Sequence, residues 1–308
     1  MVSLGIPSTR TASIAVFVCA SVWGLYWVPL RVFEAGGVEG GWSVTLLNLP
    51  PLVLLVPLML LQRRSTDTQM RRALLIGIFA GAGLALYASG LVYSTVLRAT
   101  LLFYLTPVWS TILGMIWLGE RVTTGRWAAI VIGLLGMGLL LGGGQGEEIA
   151  LNIGDLLAFL SGIAWAVAAT LIRRFDDVPL APMATFQFAF TAAIAALVAL
   201  TFGPAELPAR GDALAALPLA AAASVGLILP TVWIIFWAQK FLFPGRAGLL
   251  MMSEALVAVI TASIFLPEEQ MGLVEWIGAS MIIAACLIEV AASSVEAPAP
   301  ADGRGGPA

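Results

Sequence analysis

The chain contains no histidine and only two cysteines, and Lys, Arg, Asp and Glu together make up only 11 % of its 308 residues. Without histidine there is no imidazole to ligate a metal, act as general base or complete a Ser-His-Asp triad, so neither a metal site nor a catalytic residue is expected. Cys19 and Cys286 both fall inside long apolar runs, where a structural disulfide is not expected. No P-loop lysine motif and no GxGxxG in a βαβ setting occurs. ATP hydrolysis and dinucleotide binding lose their usual signatures, and no cofactor is expected. The apolar runs are near-continuous rather than alternating, which excludes a β-barrel.

What the chain has in excess is hydrophobic residues, 60 % of the total, with a mean hydropathy of +0.99. No soluble domain of this length has such a composition. The fold class read from it is an all-α polytopic protein whose surroundings are a lipid bilayer. Ten spans are expected, at 12–30, 42–61, 73–93, 98–118, 126–142, 153–172, 183–202, 218–239, 246–266 and 273–292, each long enough to cross the hydrocarbon or close to it. Ala12–Leu30 is too long for a signal-peptide apolar region and lacks a clear cleavage site, so it is read as a retained span. Residues 293–308, rich in Ala, Pro and Gly, read as a disordered tail.

Within this pattern one passage occurs twice. Arg98–Glu120 reads RATLLFYLTPVWSTILGMIWLGE and Arg246–Glu268 reads RAGLLMMSEALVAVITASIFLPE. At a constant offset of 148, Arg98 falls on Arg246, Leu101 on Leu249, Ile112 on Ile260 and Glu120 on Glu268. Apolar matches are common between any two membrane helices, but a charge at both ends with no gap between is not. Upstream, at an offset of 142, Phe17, Trp23, Arg31 and Phe33 fall on Phe159, Trp165, Arg173 and Phe175. The chain therefore reads as two copies of one unit, 12–142 and 153–292, joined by a linker that begins at Gly142-Gly143-Gly144.

Loop charges give these spans an orientation. The face that holds the N-terminus carries Arg10, Arg63, Arg64, Arg71, Arg72, Arg121, Arg126, Arg173, Arg174, Lys240, Arg246 and Arg304. The opposite face carries Arg31, Arg98 and Arg210. This segregation predicts both termini in the cytoplasm. Five spans per copy is an odd number, so the second copy enters the membrane from the other face. Such inverted-topology repeats place a substrate site near the midplane where the halves meet.

Three features give the chain a family resemblance: the proline-bearing fourth span with Pro107, its Leu118-Gly119-Glu120 end, and the degenerate echo Leu266-Pro267-Glu268. With Trp23 and Trp165 in the opening helix of each copy, the two units resemble the EamA domains of the drug/metabolite transporter superfamily. The resemblance covers nearly the whole chain, on short and loose motifs. It implies ten helices and a carrier in the bacterial inner membrane moving small metabolites, often outward. Tyr104, three residues before Pro107, is similar to the tyrosine of amino-acid exporters of the YddG type within that family. The second copy departs from the pattern: Ala255 stands where Pro107 stands in the first, so an asymmetric kink is expected.

The candidate substrate-binding residues are Trp23, Tyr87, Tyr104, Pro107, Trp109, Trp165, Trp233 and Trp237. Trp and Tyr ordinarily favour the interface, so those at mid-span must pack on neighbours or line a cavity. Pro107 frees a backbone carbonyl, tolerable at depth only when buried or facing a wet cavity. Glu254 is expected as a possible proton or ammonium site, because it lies deep in the ninth span and aligns with Thr106, breaking the symmetry. The expected function is a carrier of small organic solutes, with apolar and aromatic amino acids as leading substrates and a multidrug or nucleoside-type exporter as the alternative. An intramembrane transferase would need clustered polar residues at one face, and only scattered Asp155, Asp176, Asp177 and Glu147-Glu148 are found. The expected partner is a small-molecule substrate and not nucleic acid, with a monomer and an oligomer both left open.

Overall fold

A computed structural model describes residues 8–61, 65–94, 96–142, 151–202, 207–265 and 271–292. The expected linker at 143–150, the tail at 293–308 and the Leu266-Pro267-Glu268 echo lie outside these residues. The described residues are helical with no strand among them. Eight helical stretches are long and apolar enough to cross a membrane: Thr9–Ala35, Gly41–Leu61, Asp67–Tyr93, Ala99–Leu118, Ile153–Arg174, Leu180–Phe202, Arg210–Gln239 and Pro244–Phe265.

Five of the eight are interrupted, the fourth beside the kink expected at Pro107 and the others where no break is expected from the sequence. The first divides into α1 (Thr9–Trp23) and α2 (Trp27–Ala35), the second into α3 (Gly41–Asn48) and α4 (Pro50–Leu61). The third is a single helix, α5 (Asp67–Tyr93), and the fourth divides into α6 (Val96–Phe103) and α7 (Thr106–Leu118). After α8 (Thr124–Gly142) come the unbroken α9 (Ile153–Arg174) and α10 (Leu180–Phe202). α11 (Arg210–Ala223) passes through a π-turn at Ser224–Ile228 into α12 (Leu229–Gln239), so the strain at Pro230 is taken up just before the proline. The last stretch divides into α13 (Pro244–Met251) and α14 (Ser253–Phe265), and α15 (Leu273–Ala292) follows.

The breaks of the fourth and eighth stretches are symmetric, contrary to the expectation from Ala255. One falls at Tyr104-Leu105 and the other at Met252, which is Tyr104 shifted by 148. In the first copy Pro107 opens α7, as its fixed φ and missing N–H suit. In the second copy no proline is present. Met252 instead donates its backbone N–H to the Leu249 carbonyl at 3.1 Å, a tighter turn, and Ser253 gives its hydroxyl to the Phe17 carbonyl of α1 at 3.0 Å. A cross-helix hydrogen bond holds in place what a proline holds in the other copy.

The helices of one half pack on those of the other. α5 lies against α9 and α10, α7 against α9 and α13, α8 along α15, and α1 against α12, α13 and α14. The α5–α9 crossing is tied at one end by the Ser94 hydroxyl, which donates to the Asp155 carboxylate at 2.5 Å, Asp155 being itself held in a capping box with Asn152; a second capping box, Thr66 with Gln69, opens α5 at the other end. At that second end, Lys240 donates from Nζ to the carbonyls of Asp176 and Val178; burial pulls its pKa down from the ordinary lysine value, against the upward pull of Asp176 and Asp177.

Small residues permit the close crossings. A Cβ on Gly77 would overlap that of Phe186, and one on Gly81 would stand 2.7 Å from that of Phe190. Between α8 and α15, a Cβ on Gly278 would stand 2.5 Å from the Gly136 carbonyl oxygen, whereas one on Gly138 would meet nothing within 4 Å. Gly278→Ala is therefore expected to lower the melting temperature by the cost of overpacking, about 1–3 kcal/mol. Gly138→Ala should be neutral or stabilising, since alanine is the better helix former by about 1 kcal/mol. Thermal unfolding of both variants in detergent checks this; equal effects would mean that α8 and α15 do not meet at Gly278.

Candidate functional site

At the heart of the bundle lies a small chamber of about 20 Å³ lined by Trp23, Leu84, Tyr87, Phe103, Trp165, Val232, Ile235, Met251 and Glu254. α1, α5, α6, α9, α12, α13 and α14 each place at least one of these side chains, so both halves of the sequence build it. The helix breaks bring this about. The turn after α1 leaves Trp23 at its end, and the one after α6 does the same for Phe103. Gly24 lets that turn cross α14 closely, since a Cβ there would stand 2.5 Å from the Glu254 carbonyl oxygen.

The lining is arranged in pairs related by the sequence repeat. Trp23 and Trp165 correspond at the offset of 142; Leu84 with Val232, Tyr87 with Ile235 and Phe103 with Met251 correspond at 148. Glu254 is the ninth residue and the odd one. Its counterpart Thr106 is spent on structure, its hydroxyl donating to the Phe103 carbonyl at 2.5 Å and lying 3.4 Å from the Gly162 carbonyl. Glu254 opens α14 and is partly buried.

The aromatic wall is well packed. Tyr87 stacks on Phe103 with centroids 4.3 Å apart, and Phe103 meets Tyr104 edge-on at 5.1 Å. The Tyr87 hydroxyl lies 3.4 Å from that of Thr100. Tyr104 is only 2 % exposed; its hydroxyl lies beside the Glu254 carboxyl without forming a hydrogen bond of ordinary geometry. The Trp165 indole N–H, on a side chain 7 % exposed, also has no hydrogen-bond partner. Buried indole N–H groups and phenols usually find one.

From the chamber a larger vestibule of about 610 Å³ leads outward, sharing Trp23, Leu84 and Tyr87 with it. Tyr26, Trp27, Trp42 and Tyr93 line it further out, and Arg31, Glu34 and Glu39 stand in its wall. Trp23 stacks on Tyr26 at 5.7 Å, at the junction of the two spaces.

The other end of the bundle holds a buried charge cluster. Glu120, Arg126, Arg246 and Glu289 are each 7 % exposed or less. Arg126 pairs with Glu120 through Nη1 and lies 3.3 Å from Glu289 through Nη2, while Arg246 donates from Nε to the same Glu289 oxygen at 2.6 Å. A buried carboxylate that sequence reasoning did not single out is therefore Glu289, near the end of α15; it is 2 % exposed, and its burial is offset by two guanidinium groups.

Of the residues singled out from sequence, Trp23, Tyr87, Trp165 and Glu254 come together in the chamber, and Tyr104 lies behind its wall. Pro107 is buried at the start of α7, where Gly248 of α13 approaches its backbone. Trp109 packs edge-on against Phe159 at 5.7 Å, and Trp237 against Phe241 at 5.6 Å. Trp233 is half-buried against the core. None of these four is among the residues lining the chamber or the vestibule. Sequence reasoning missed Leu84, Phe103, Val232, Ile235 and Met251. Carrying the offset of 148 from the fourth span back to the third would have found the pairs.

The sequence profile of the EamA-like transporter family matches residues 10–142 and again 152–290. The chain is 33 % identical over 136 residues to a protein of Ancylobacter novellus named aromatic amino acid exporter YddG, a match covering 43 % of this chain and 47 % of that protein. It is 32 % identical over 111 residues to a Bacillus subtilis protein named uncharacterized transporter YyaM, covering 34 % and 36 %. Each match thus spans less than half of the relative's length. A crystal structure of another protein superposes with a TM-score of 0.69 over 91 % of this chain and 98 % of that one, at 20 % identity, and so shares the fold.

Proposed function

We propose that this chain, which belongs to the EamA-like transporter family, is an alternating-access carrier of small organic metabolites with apolar or aromatic bodies, amino acids among them. The observation that carries the reading is the chamber whose walls are four repeat-related pairs. A site built equally by two halves can be presented to either face with similar internal contacts. The vestibule opens at the end of the bundle that holds Arg31, Glu34 and Glu39, and the buried charge cluster lies at the other. In the orientation read from loop charges, the first end faces outward and the second faces the cytoplasm, with both termini inside and the chain in the inner membrane. This chain then stands in an outward-open arrangement.

The reading takes α8 and α15 as two further spans, making ten in two inverted sets of five. Their 19 and 20 residues suffice for a bilayer, and they pack along one another. The aromatic walls suit apolar side chains, and the ring faces suit an ammonium group. The relative named an aromatic amino acid exporter supports a substrate of that kind.

The test is counterflow in proteoliposomes. Solute trapped inside at high concentration is expected to drive saturable uptake of labelled solute, which a channel would not do. Trp165→Ala should lower this exchange several-fold per amount of folded protein, because one aromatic contact is worth about 0.5–1.5 kcal/mol beyond its burial. Counterflow unaffected by Trp165→Ala would place the substrate elsewhere.

A further inference from the structure

The chamber's polar groups are few enough to read as a specificity. Among the described residues that line it, Glu254 is the one carboxyl group, and no Lys or Arg accompanies it. Two neutral donors in the lining have no hydrogen-bond partner, the indole N–H groups of Trp23 and Trp165, and that of Trp165 is fully buried. Among the described residues, the cation lining the adjoining vestibule is Arg31, which does not line the chamber. The vestibule wall itself carries Arg31 against Glu34 and Glu39, one positive and two negative charges, and so attracts cations.

These observations bear differently on three kinds of solute that share one aromatic body. An apolar amine brings an ammonium group that Glu254 accepts, and each charge offsets the other's burial. A carboxylate has about four acceptor sites and would find two indole N–H groups, no Lys or Arg in the lining, and the Glu254 carboxyl nearby. A zwitterionic amino acid gains the first interaction and carries the penalty of the second. A neutral acceptor such as an amide carbonyl needs a single donor, which Trp165 supplies while satisfying its own buried N–H.

From this single acid and the lack of any Lys or Arg among the described lining residues we infer that the chamber selects apolar primary amines with no free carboxylate, amino-acid amides included, over zwitterionic amino acids. The inference rests on the carrier reading, since it takes the chamber as the substrate site. It narrows that reading to a class that the relative's name does not describe. The amine of the substrate enters the chamber and pairs with the Glu254 carboxylate, a carbonyl or hydroxyl beside it accepts from Trp165, and the apolar body, too large for a space of about 20 Å³, lies in the vestibule against Trp23, Leu84 and Tyr87.

The experiment uses the purified full-length protein and four probes with one phenyl body: phenethylamine, L-phenylalaninamide, L-phenylalanine and 3-phenylpropionate. Binding is read by calorimetry. The amine and the amide are expected to bind at least tenfold more tightly than phenylalanine, with phenylpropionate weakest. Glu254→Gln should remove the advantage of the amine, and Trp165→Phe should remove that of the amide over the amine. Phenylalanine binding as tightly as its amide would overturn the inference, as would no binding by any of the four. The carrier reading fails on a different result, the absence of saturable counterflow for any solute, so the two can be told apart. Should Glu254→Gln fail to fold, the order of the four probes on the unaltered protein still decides.

Discussion

Glu254→Gln protein reconstituted into proteoliposomes is expected to transport at least tenfold more slowly than the unaltered protein, while eluting and melting like it. The substitution keeps the volume and one carbonyl oxygen and removes the capacity to be charged. A hydrogen bond to a charged group contributes about 1.5–3 kcal/mol, which converts to roughly 10- to 150-fold. The repeat isolates this residue: every other lining position of the chamber has a lining partner in the other half, while Thr106, its counterpart, turns inward to backbone carbonyls. A symmetric scaffold needs no charge here, and the bilayer penalises one. Two roles give different residues of activity. If Glu254 carries a proton, the variant keeps solute exchange and loses its response to a pH gradient. If Glu254 holds the substrate ammonium, exchange itself is lost. Full, pH-responsive transport by the variant would leave Glu254 a structural group that holds α14 to its neighbours.

The second large effect lies at the other end of the bundle and is one of stability. Glu289→Ala removes the carboxylate shared by Arg126 and Arg246, both almost fully buried. Breaking a buried pair by deleting one partner costs about 3–5 kcal/mol, because the remaining charge has lost its compensation. For a chain of this size that is a drop in melting temperature on the order of 10 °C, with lower yield of folded protein. Replacing Arg246 and Glu289 together by methionine should recover much of the loss, since an apolar pair of similar volume leaves fewer buried charges uncompensated. Thermal unfolding of the two variants in one detergent makes the comparison. Unchanged melting of Glu289→Ala would mean that water reaches this cluster.

How much of this was legible in the residues depends on the chemistry of each position. The class was plain, because nothing but a bilayer accommodates such continuous apolar runs. Trp23 and Trp165 could be paired by eye, since tryptophan is rare enough for a match to mean something. Leu84 with Val232 and Phe103 with Met251 follow the offset of 148 carried back from the fourth span, but their residue types do not single them out. Inside a span, Leu, Val and Met look alike whether they face lipid, a neighbour or a chamber. The break at Met252 carries no proline and is held by Ser253 on α1, a contact between residues 236 apart in sequence. A proline announces a break locally, whereas a tertiary hydrogen bond does not. Glu289 was hidden by its place near a helix end, where an acid ordinarily meets water; only the arrival of Arg126 and Arg246 makes it a core residue. Trp109 and Trp237 show the converse, conspicuous aromatics whose rings are occupied by Phe159 and Phe241.

The central claim is that the chamber is the substrate site and is reached in turn from both faces. The most direct measurement places one thiol there and asks from which side it reacts. With Cys19 and Cys286 replaced by alanine, Met251→Cys puts a sulfur in the chamber wall on the second copy, opposite Phe103 in the repeat. A membrane-impermeant thiol reagent is applied outside right-side-out vesicles and, separately, outside inverted ones. The account predicts labelling from both faces, faster from the outer one as the open vestibule requires, and slowed at both by a bound substrate amine. Labelling from one face alone, or labelling that no solute slows, would contradict it.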